Sequence, residues 1–219
     1  MKRVSPQEKA SRLSNQRVGI ESFTNVEMLF SGWSGIYTMK GKDMDDIELV
    51  EASDKLEKQA MAYIQDYKDN GEKLINGSSG LIDYDDYGKW LAQVTLQKNK
   101  DKSLTDTPAT TYFTIRKRDS KIIGSIQLRH HLTEELLRDG GNVGYGICPS
   151  ERNKGYGTRQ LALALDQAKA LSLTRIMISC NKDNRASAKV ALNNGGILSG
   201  VGFDEDEGKK TEIYWITIT

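Results

Sequence analysis

Apolar residues along this chain follow first a helical and then an alternating rhythm, and the changes of rhythm mark out its elements. Residues 47–50 read as a first strand. Leu56, Ala60, Tyr63, Ile64 and Tyr67 then fall three and four apart, which places them on one face of a helix. Asp54 and Glu57 stand ahead of them at capping-box spacing, and Asn70-Gly71 supplies a stop. After a Gly/Ser-rich loop at residues 76–80, Asp83 is placed to cap a second helix, with Tyr84, Tyr87, Leu91 and Val94 as its stripe. Residues 98–108 are polar and loop-like.

The period then shortens to two. Residues 110–116 and 121–130 alternate on either side of an Asp119-Ser120 turn, with Ile122, Gly124, Ile126, Leu128 and His130 on one face. Residues 132–138 read as a short helix stopped by Gly140-Gly141. Residues 142–148 read as a third strand of this set, in which Gly144 and Gly146 signal a close backbone approach. A helix over about 156–171 buries Leu161, Ala164, Leu165, Ala168 and Leu171, and a strand covers 174–180. Asp183 is placed to cap a helix ending at Asn194-Gly195-Gly196, and a hairpin of 197–203 and 212–219 follows around the acidic residues 204–207. The strand–helix–strand unit around residue 150 predicts a parallel pair with a right-handed crossover. The fold class is therefore α/β (α+β), a mixed sheet flanked by helices.

Residues 1–43 lack any such rhythm. One reading is a flexible arm. Another comes from the codons that Lys40-Gly41-Lys42-Asp43 require, a purine-rich run resembling a bacterial ribosome-binding site just ahead of Met44. On that reading Met44 is the natural start, residues 1–43 are an over-extended gene start, and 44–219 are the domain. An intact mass from the native host that includes residues 1–43 overturns it.

Composition narrows the function. A chain of 219 residues holds one substantial core or two small ones, and 28% charged with 37% hydrophobic residues suits a soluble globular domain. A net charge of +1 argues against a nucleic-acid partner. No apolar run is long enough for a bilayer span or a secretory signal, so no membrane is expected and the location is cytoplasmic. Cys148 and Cys180 sit in apolar runs and read as reduced, buried thiols. The histidines, His130 and His131, are adjacent, and no metal site is expected.

Chemistry concentrates at Cys148-Pro149-Ser150-Glu151-Arg152-Asn153-Lys154-Gly155-Tyr156-Gly157-Thr158, between a strand and a helix. Gly155 and Gly157 let the backbone approach a ligand. The N–H groups and dipole of the helix start attract a phosphate or pyrophosphate, and Arg152 and Lys154 add positive charge. The competing reading is a tight turn with exposed basic residues. A dinucleotide fingerprint lacks its third glycine here, and a P-loop lacks its Gly-Lys-Ser/Thr.

Arg152-Asn153-Lys154-Gly155-Tyr156-Gly157 resembles the Arg/Gln-x-x-Gly-x-Gly/Ala loop of the GNAT family of N-acetyltransferases. The resemblance extends to the flanking strand and helix and to Asn184-Arg185-Ala186-Ser187 at the start of the next helix, and covers roughly residues 46–219. It implies a GNAT-like, mostly antiparallel twisted sheet with a β–loop–α pyrophosphate site, and acetyl-CoA as co-substrate without a metal. It implies that backbone groups of Ile147 and Cys148 pair with the pantetheine arm, that N–H groups from Asn153 to Thr158 hold the pyrophosphate, and that Asn181 and Asn184 bond the cofactor further along. The implied reaction is direct attack of a primary amine on the thioester in a ternary complex, in an opening between the two flanking strands.

Two proton tasks remain. His130 and Glu134 are the candidate bases; a core histidine and a surface glutamate are the competing readings. For the acid, the family commonly places a tyrosine seven residues after its Asn, where this chain has Ala191. Ser187, one turn earlier, is the substitute candidate, with Tyr145, Tyr156 and Tyr214 as further possibilities. The likeness within the family is to bacterial members near the ribosomal-protein acetyltransferase branch, which implies a small amine or a peptide or protein N-terminus as acceptor. The missing tyrosine leaves open an acyl-CoA-binding or sensor protein with little catalysis. Exposed strand edges suit a homodimer.

Overall fold

The computed structural model describes residues 46–99, 107–204 and 208–219. They belong to the compact unit Asp43–Thr219. The expectations for residues 1–43, and for most of the loops at 98–108 and 204–207, fall outside the described residues.

Two antiparallel sheets carry the fold. β1 (Ile47–Glu51), β2 (Ala109–Arg116), β3 (Lys121–Arg129) and β4 (Val143–Ile147) form the first, in the order β1-β2-β3-β4. β5 (Arg175–Asn181), β6 (Ile197–Asp204) and β7 (Lys209–Thr217) form the second, in the order β5-β7-β6. The helices are α1 (Glu57–Asp69), α2 (Tyr87–Lys98), α3 (Tyr156–Ala170) and α4 (Arg185–Asn193).

β2 and β3 are buried on both faces, which is why their alternation is blurred by apolar residues on either side. On one face, Phe113 and Ile123 share a core with Tyr63, Ile64 and Tyr67 of α1 and Tyr87, Trp90 and Val94 of α2. On the other, Tyr112, Ile126 and Leu128 share a core with Leu161, Ala164 and Ala168 of α3, Ala188 and Ala191 of α4, and Ile176, Ile178 and Tyr214 of the second sheet. Trp90 is fully buried, its ring 5.2 Å from Tyr87 and 5.5 Å from Phe113 by centroid. Its Nε1 donates to Ser78 O at 2.8 Å, which ties α2 to the Gly/Ser-rich loop.

The element order matches the rhythm of the sequence, and the departures are local. Asp54 and Glu57 form no capping box: residues Asp54–Leu56 make a 3-10 turn, and the Asp54 side chain accepts from Lys55 N–H instead. Asp83 lies in another 3-10 turn, Leu81–Asp83, so α2 starts later and is capped by Asp86, whose Oδ1 accepts from Lys89 N–H at 2.8 Å. Tyr84 is thereby left exposed and Trp90 takes the core position. Asn184 rather than Asp183 caps α4, accepting from Ser187 N–H at 3.1 Å. The short helix expected at 132–138 starts two residues later, with α-helical residues 134–135 that run into a π-turn, Leu136–Gly140, and it ends at Gly141 with φ +71°. Leu171 closes α3 and is exposed.

The expected parallel ladder is also absent. Every ladder among the described strands is antiparallel, and β4 and β5 join only at one end. There Asn142 N–H donates to Met177 O at 2.8 Å, Met177 N–H donates to Asn142 Oδ1 at 2.8 Å, and a bridge links Gly141 and Ile178. Asn142 spends its side chain on the bond that would continue the pairing, and beyond it β4 is paired with β3 alone.

Candidate active site

The unpaired lengths of β4 and β5 form a fork, with the start of α3 at its mouth. Strand alternation decides which peptide groups of β4 face it. Cys148 N–H donates to Ile123 O of β3 at 2.9 Å, so the peptide groups of Ile147, one residue earlier, point to the fork side. Cys148 O accepts from Glu151 N–H at 2.9 Å. Of the two residues expected to pair with a pantetheine arm, Cys148 therefore has both backbone groups engaged. The Ile147 carbonyl accepts from Arg152 Nε at 2.9 Å.

The turn into α3 is shaped by two left-handed residues, Asn153 (φ +62°) and Gly155 (φ +82°). Asparagine tolerates that region and glycine has no Cβ to obstruct it. Gly155 is the N-cap, and the first bond of the helical ladder is Arg159 N–H to Gly155 O at 3.4 Å. The ladder thus leaves the N–H groups of the first turn, Gly157 and Thr158 among them, for another acceptor. Gly157 packs beneath Val190 of α4: a Cβ there would lie 3.2 Å from Val190 Cγ2. Asn194 Nδ2 donates to Thr158 O at 3.1 Å, which fixes α4 against α3.

The basic side chains of the loop are half exposed and paired with the protein's own carboxylates. Arg152 pairs with Glu72, Nη1 to Oε1 at 2.6 Å and Nη2 to Oε2 at 2.8 Å, and its guanidinium carbon lies 5.7 Å from the Tyr67 ring centroid. Lys154 Nζ donates to Ser150 O at 2.9 Å and to Glu151 Oε2 at 2.8 Å. Glu151 is buried and also receives Arg116 Nη1 at 2.9 Å and Lys121 Nζ at 3.1 Å. Burial pushes its pKa up, but the Lys154 and Lys121 bonds and the Arg116 charge outweigh this and hold it at about 2. Tyr156 is buried in the core on the α1 and α2 side, and hydrogen-bonds Arg116.

Across the fork, Tyr145 of β4 reaches α4. Its hydroxyl lies 2.8 Å from Ser187 Oγ. Tyr145 packs in the same core as Ala191, the position where the family commonly has its tyrosine, and Ala191 is fully buried. Burial raises the Tyr145 hydroxyl to about 12, so it is a proton donor at neutral pH. Ser187 also hydrogen-bonds Cys180, whose thiol burial pushes up. Tyr214 is committed elsewhere, donating to Glu212 Oε2 at 2.6 Å.

The remaining candidates are not gathered at this pair. His130 Nε2 lies 2.9 Å from Thr110 Oγ1 of β2. It is four residues along β3 from Ile126, the partner of Tyr145, or about 13 Å at strand rise. Burial, then the neighbouring charges of His131 and Lys98, lower its pKa. Glu134 is exposed on the segment leading into the π-turn. Asn184 uses its side-chain oxygen as the α4 cap, and Asn181 ends β5 at the fork. Among the described residues no three His, Cys, Asp or Glu side chains are placed to hold a metal, and no helix is long and apolar enough to cross a membrane.

The opposite face of β4 is covered by the Gly/Ser-rich loop. A Cβ on Gly77 would lie 2.4 Å from Gly144 O, and one on Gly146 would lie 3.0 Å from Asn76 O. The strand glycines do admit a close backbone, and it is this chain's own. Ser125 Oγ donates to Asn76 O at 3.2 Å and meets Tyr63 OH at 3.1 Å. Gln160, fully buried in α3, donates to Thr114 Oγ1 at 2.7 Å and Ser125 O at 3.1 Å. Glu72 and Gln160 carry no motif signal, because each works through tertiary contacts with distant residues, and only the Lys154 contact of Glu151 is local.

The profile of the acetyltransferase (GNAT) domain matches residues 80–197. The chain belongs to the GNAT acetyltransferase family, whose co-substrate is acetyl-CoA. No curated protein matches the sequence. Among solved structures, the microcin C7 self-immunity acetyltransferase MccE, in complex with acetyl-CoA and AMP, is similar at 19% identity and TM-score 0.58 over 80% of this chain and 93% of that one. The ribosomal-protein-S5-alanine acetyltransferase from Vibrio fischeri is similar at 20% identity and TM-score 0.57, over 78% and 92%. A GNAT-family acetyltransferase from Streptococcus pneumoniae is similar at 16% identity and TM-score 0.56, over 80% and 100%. At these identities the likeness is one of fold.

Proposed function

We propose that residues 44–219 transfer the acetyl group of acetyl-CoA to a primary amine by direct attack at the β4–β5 fork. The observation that carries this reading is the fork itself, with the outward Ile147 peptide on one side and the first turn of α3 at its mouth.

Acetyl-CoA supplies an activated acyl group. The protein binds its phosphates through backbone N–H groups from Asn153 to Thr158, supported by the dipole of α3. Ile147 offers the strand edge for the pantetheine arm, and Asn181 and Asn184 line its further course. Arg152 and Lys154 stand beside this loop as a reserve of positive charge, Arg152 held back from the phosphates by Glu72 and Lys154 by Glu151. The Tyr145 hydroxyl, backed by Ser187, donates to sulfur as the C–S bond breaks. Glu134, on the segment that roofs the closed end of the fork, takes the proton of the incoming ammonium through water. His130 holds β3 to β2 through Thr110.

The acceptor is a small molecule or a peptide or protein N-terminus; the net charge of +1 gives no support to a nucleic acid. Free, buried Cys148 and Cys180 support a cytoplasmic location. β6 is an edge strand with Ile197 70% and Val201 64% exposed, which supports self-association.

The test is thiol release from acetyl-CoA with a panel of primary amines. Turnover that depends on an amine, and drops in Tyr145→Phe, supports the reading. Tight acetyl-CoA binding with no turnover on any amine or peptide N-terminus contradicts it.

A further inference from the structure

Two buried hydroxyls on the second sheet lack a partner. Ser179 Oγ of β5 and Thr211 Oγ1 of β7 make no hydrogen bond, and Thr211 is only 3% exposed. Strand register puts them together. Ser179 pairs with Ile213 and Asn181 with Thr211, so Ser179 and Thr211 are diagonal neighbours on one face, while Cys180 and Tyr214 face α4 on the other.

This face lies under the π-turn. A Cβ on Gly141 would sit 3.3 Å from Ser179 N, and one on Gly202 would sit 2.7 Å from Thr211 Oγ1 and 2.9 Å from Arg138 O. Arg129 reaches the same turn, Nη1 donating to Gly141 O at 2.9 Å. Arg129 is half-buried, and the acceptor of this bond is a neutral backbone carbonyl. Burial lowers its pKa. A desolvated guanidinium bonded to the turn and two unpartnered hydroxyls on the face beneath it are costly in the free protein. A carboxylate can repay that cost, since its lone pairs accept from a guanidinium and two O–H groups together.

Resting on the acetyltransferase reading, we infer that Arg129, Ser179 and Thr211 form an acceptor subsite at the closed end of the fork for the carboxylate of an acid-bearing amine. The amine of such a molecule is directed away from Arg129, toward the opening where Tyr145 and Ser187 stand. A polyamine brings only positive charge to Arg129 and is excluded.

The test is calorimetric titration of the CoA-saturated full-length protein with each of the twenty L-amino acids, their carboxamides, and spermidine. At least one amino acid binds, and its carboxamide binds about ten-fold more weakly or worse. Arg129→Met brings the two within about three-fold and leaves acetyl-CoA affinity unchanged. Thr211→Val weakens the same amino acid while holding or raising the melting temperature, because the hydroxyl it removes has no partner to lose. A protein that binds acetyl-CoA but no amino acid, that prefers spermidine, or that keeps its carboxamide discrimination in Arg129→Met overturns the subsite. Failure to bind acetyl-CoA at all contradicts the acetyltransferase reading instead, and takes the subsite with it.

Discussion

Arg152 and Glu72 form a two-pronged ion pair, at 2.6 and 2.8 Å, while the third donor of the same guanidinium holds the Ile147 carbonyl at 2.9 Å. The carbonyl proposed for the pantetheine arm is therefore occupied by the arginine of the loop that leads into α3, and Glu72 keeps that arginine in place. Glu72→Gln is expected to raise acetyl-CoA affinity about two- to five-fold, since it releases Arg152 toward the phosphates. Both partners are partly exposed, at 43% and 35% of their side chains, so the stability change stays within about 1 kcal/mol. Titration calorimetry of the two proteins checks this; weaker binding in the variant means that the pair is part of the binding-competent loop.

Glu151 is the opposite case, a carboxylate buried among Arg116, Lys121 and Lys154. Glu151→Gln is expected to cost about 1.5–3 kcal/mol, read as a lower urea midpoint. Its pKa is depressed to about 2, so its contribution is complete above the ordinary carboxylate range near 4.5 and disappears as pH falls toward 2. The wild-type midpoint should therefore fall more steeply than that of the variant between those two pH values.

Tyr145→Phe removes the hydroxyl that faces Ser187 and keeps the ring that packs against the core. Steady-state turnover is expected to fall about 100-fold, with acetyl-CoA affinity unchanged. Ser187→Ala, which leaves the hydroxyl of Tyr145 in place, is expected to cost about ten-fold. Equal rates in all three proteins place the proton donor elsewhere.

The strand-and-helix order was legible because its rhythm is a local property: α1, α3 and β2 through β7 follow apolar spacing that any short window contains. The glycine turn into α3 was legible for a related reason, since Gly155 and Gly157 answer a backbone requirement written into consecutive residues. Caps were less so. Asp54, Asp83 and Asp183 had the right chemistry, but 3-10 turns at Asp54–Leu56 and Leu81–Asp83 moved two helix starts, and Asn184 took the third cap. The pairing of Tyr145 with Ser187 joins residues 42 apart, and nothing local in either announces the other. The same holds for Glu72 with Arg152, which lie 80 apart.

Gly77 gives a test of the loop that covers β4. Its φ is +77°, and a Cβ would meet Gly144 O at 2.4 Å, against backbone that has no rotamer to yield. Gly77→Ala is expected to displace residues 76–80 from β4 and to destabilise the protein by more than about 1–2 kcal/mol. Acceptor turnover should fall more than acetyl-CoA affinity, because the phosphate loop lies on other elements. A variant with unchanged midpoint and turnover contradicts the contact.

The central claim is that the first turn of α3 binds acetyl-CoA, and calorimetric titration of acetyl-CoA into the purified full-length protein, with NAD as control, tests it most directly. Gly155→Asn is the companion variant: asparagine accepts the left-handed φ of +82°, so the fold is kept while a side chain is added to the N-cap. The account predicts binding of acetyl-CoA and not NAD, weakened about ten-fold or more in Gly155→Asn at an unchanged melting temperature. Equal binding of both nucleotides, or acetyl-CoA affinity indifferent to Gly155→Asn, would contradict it.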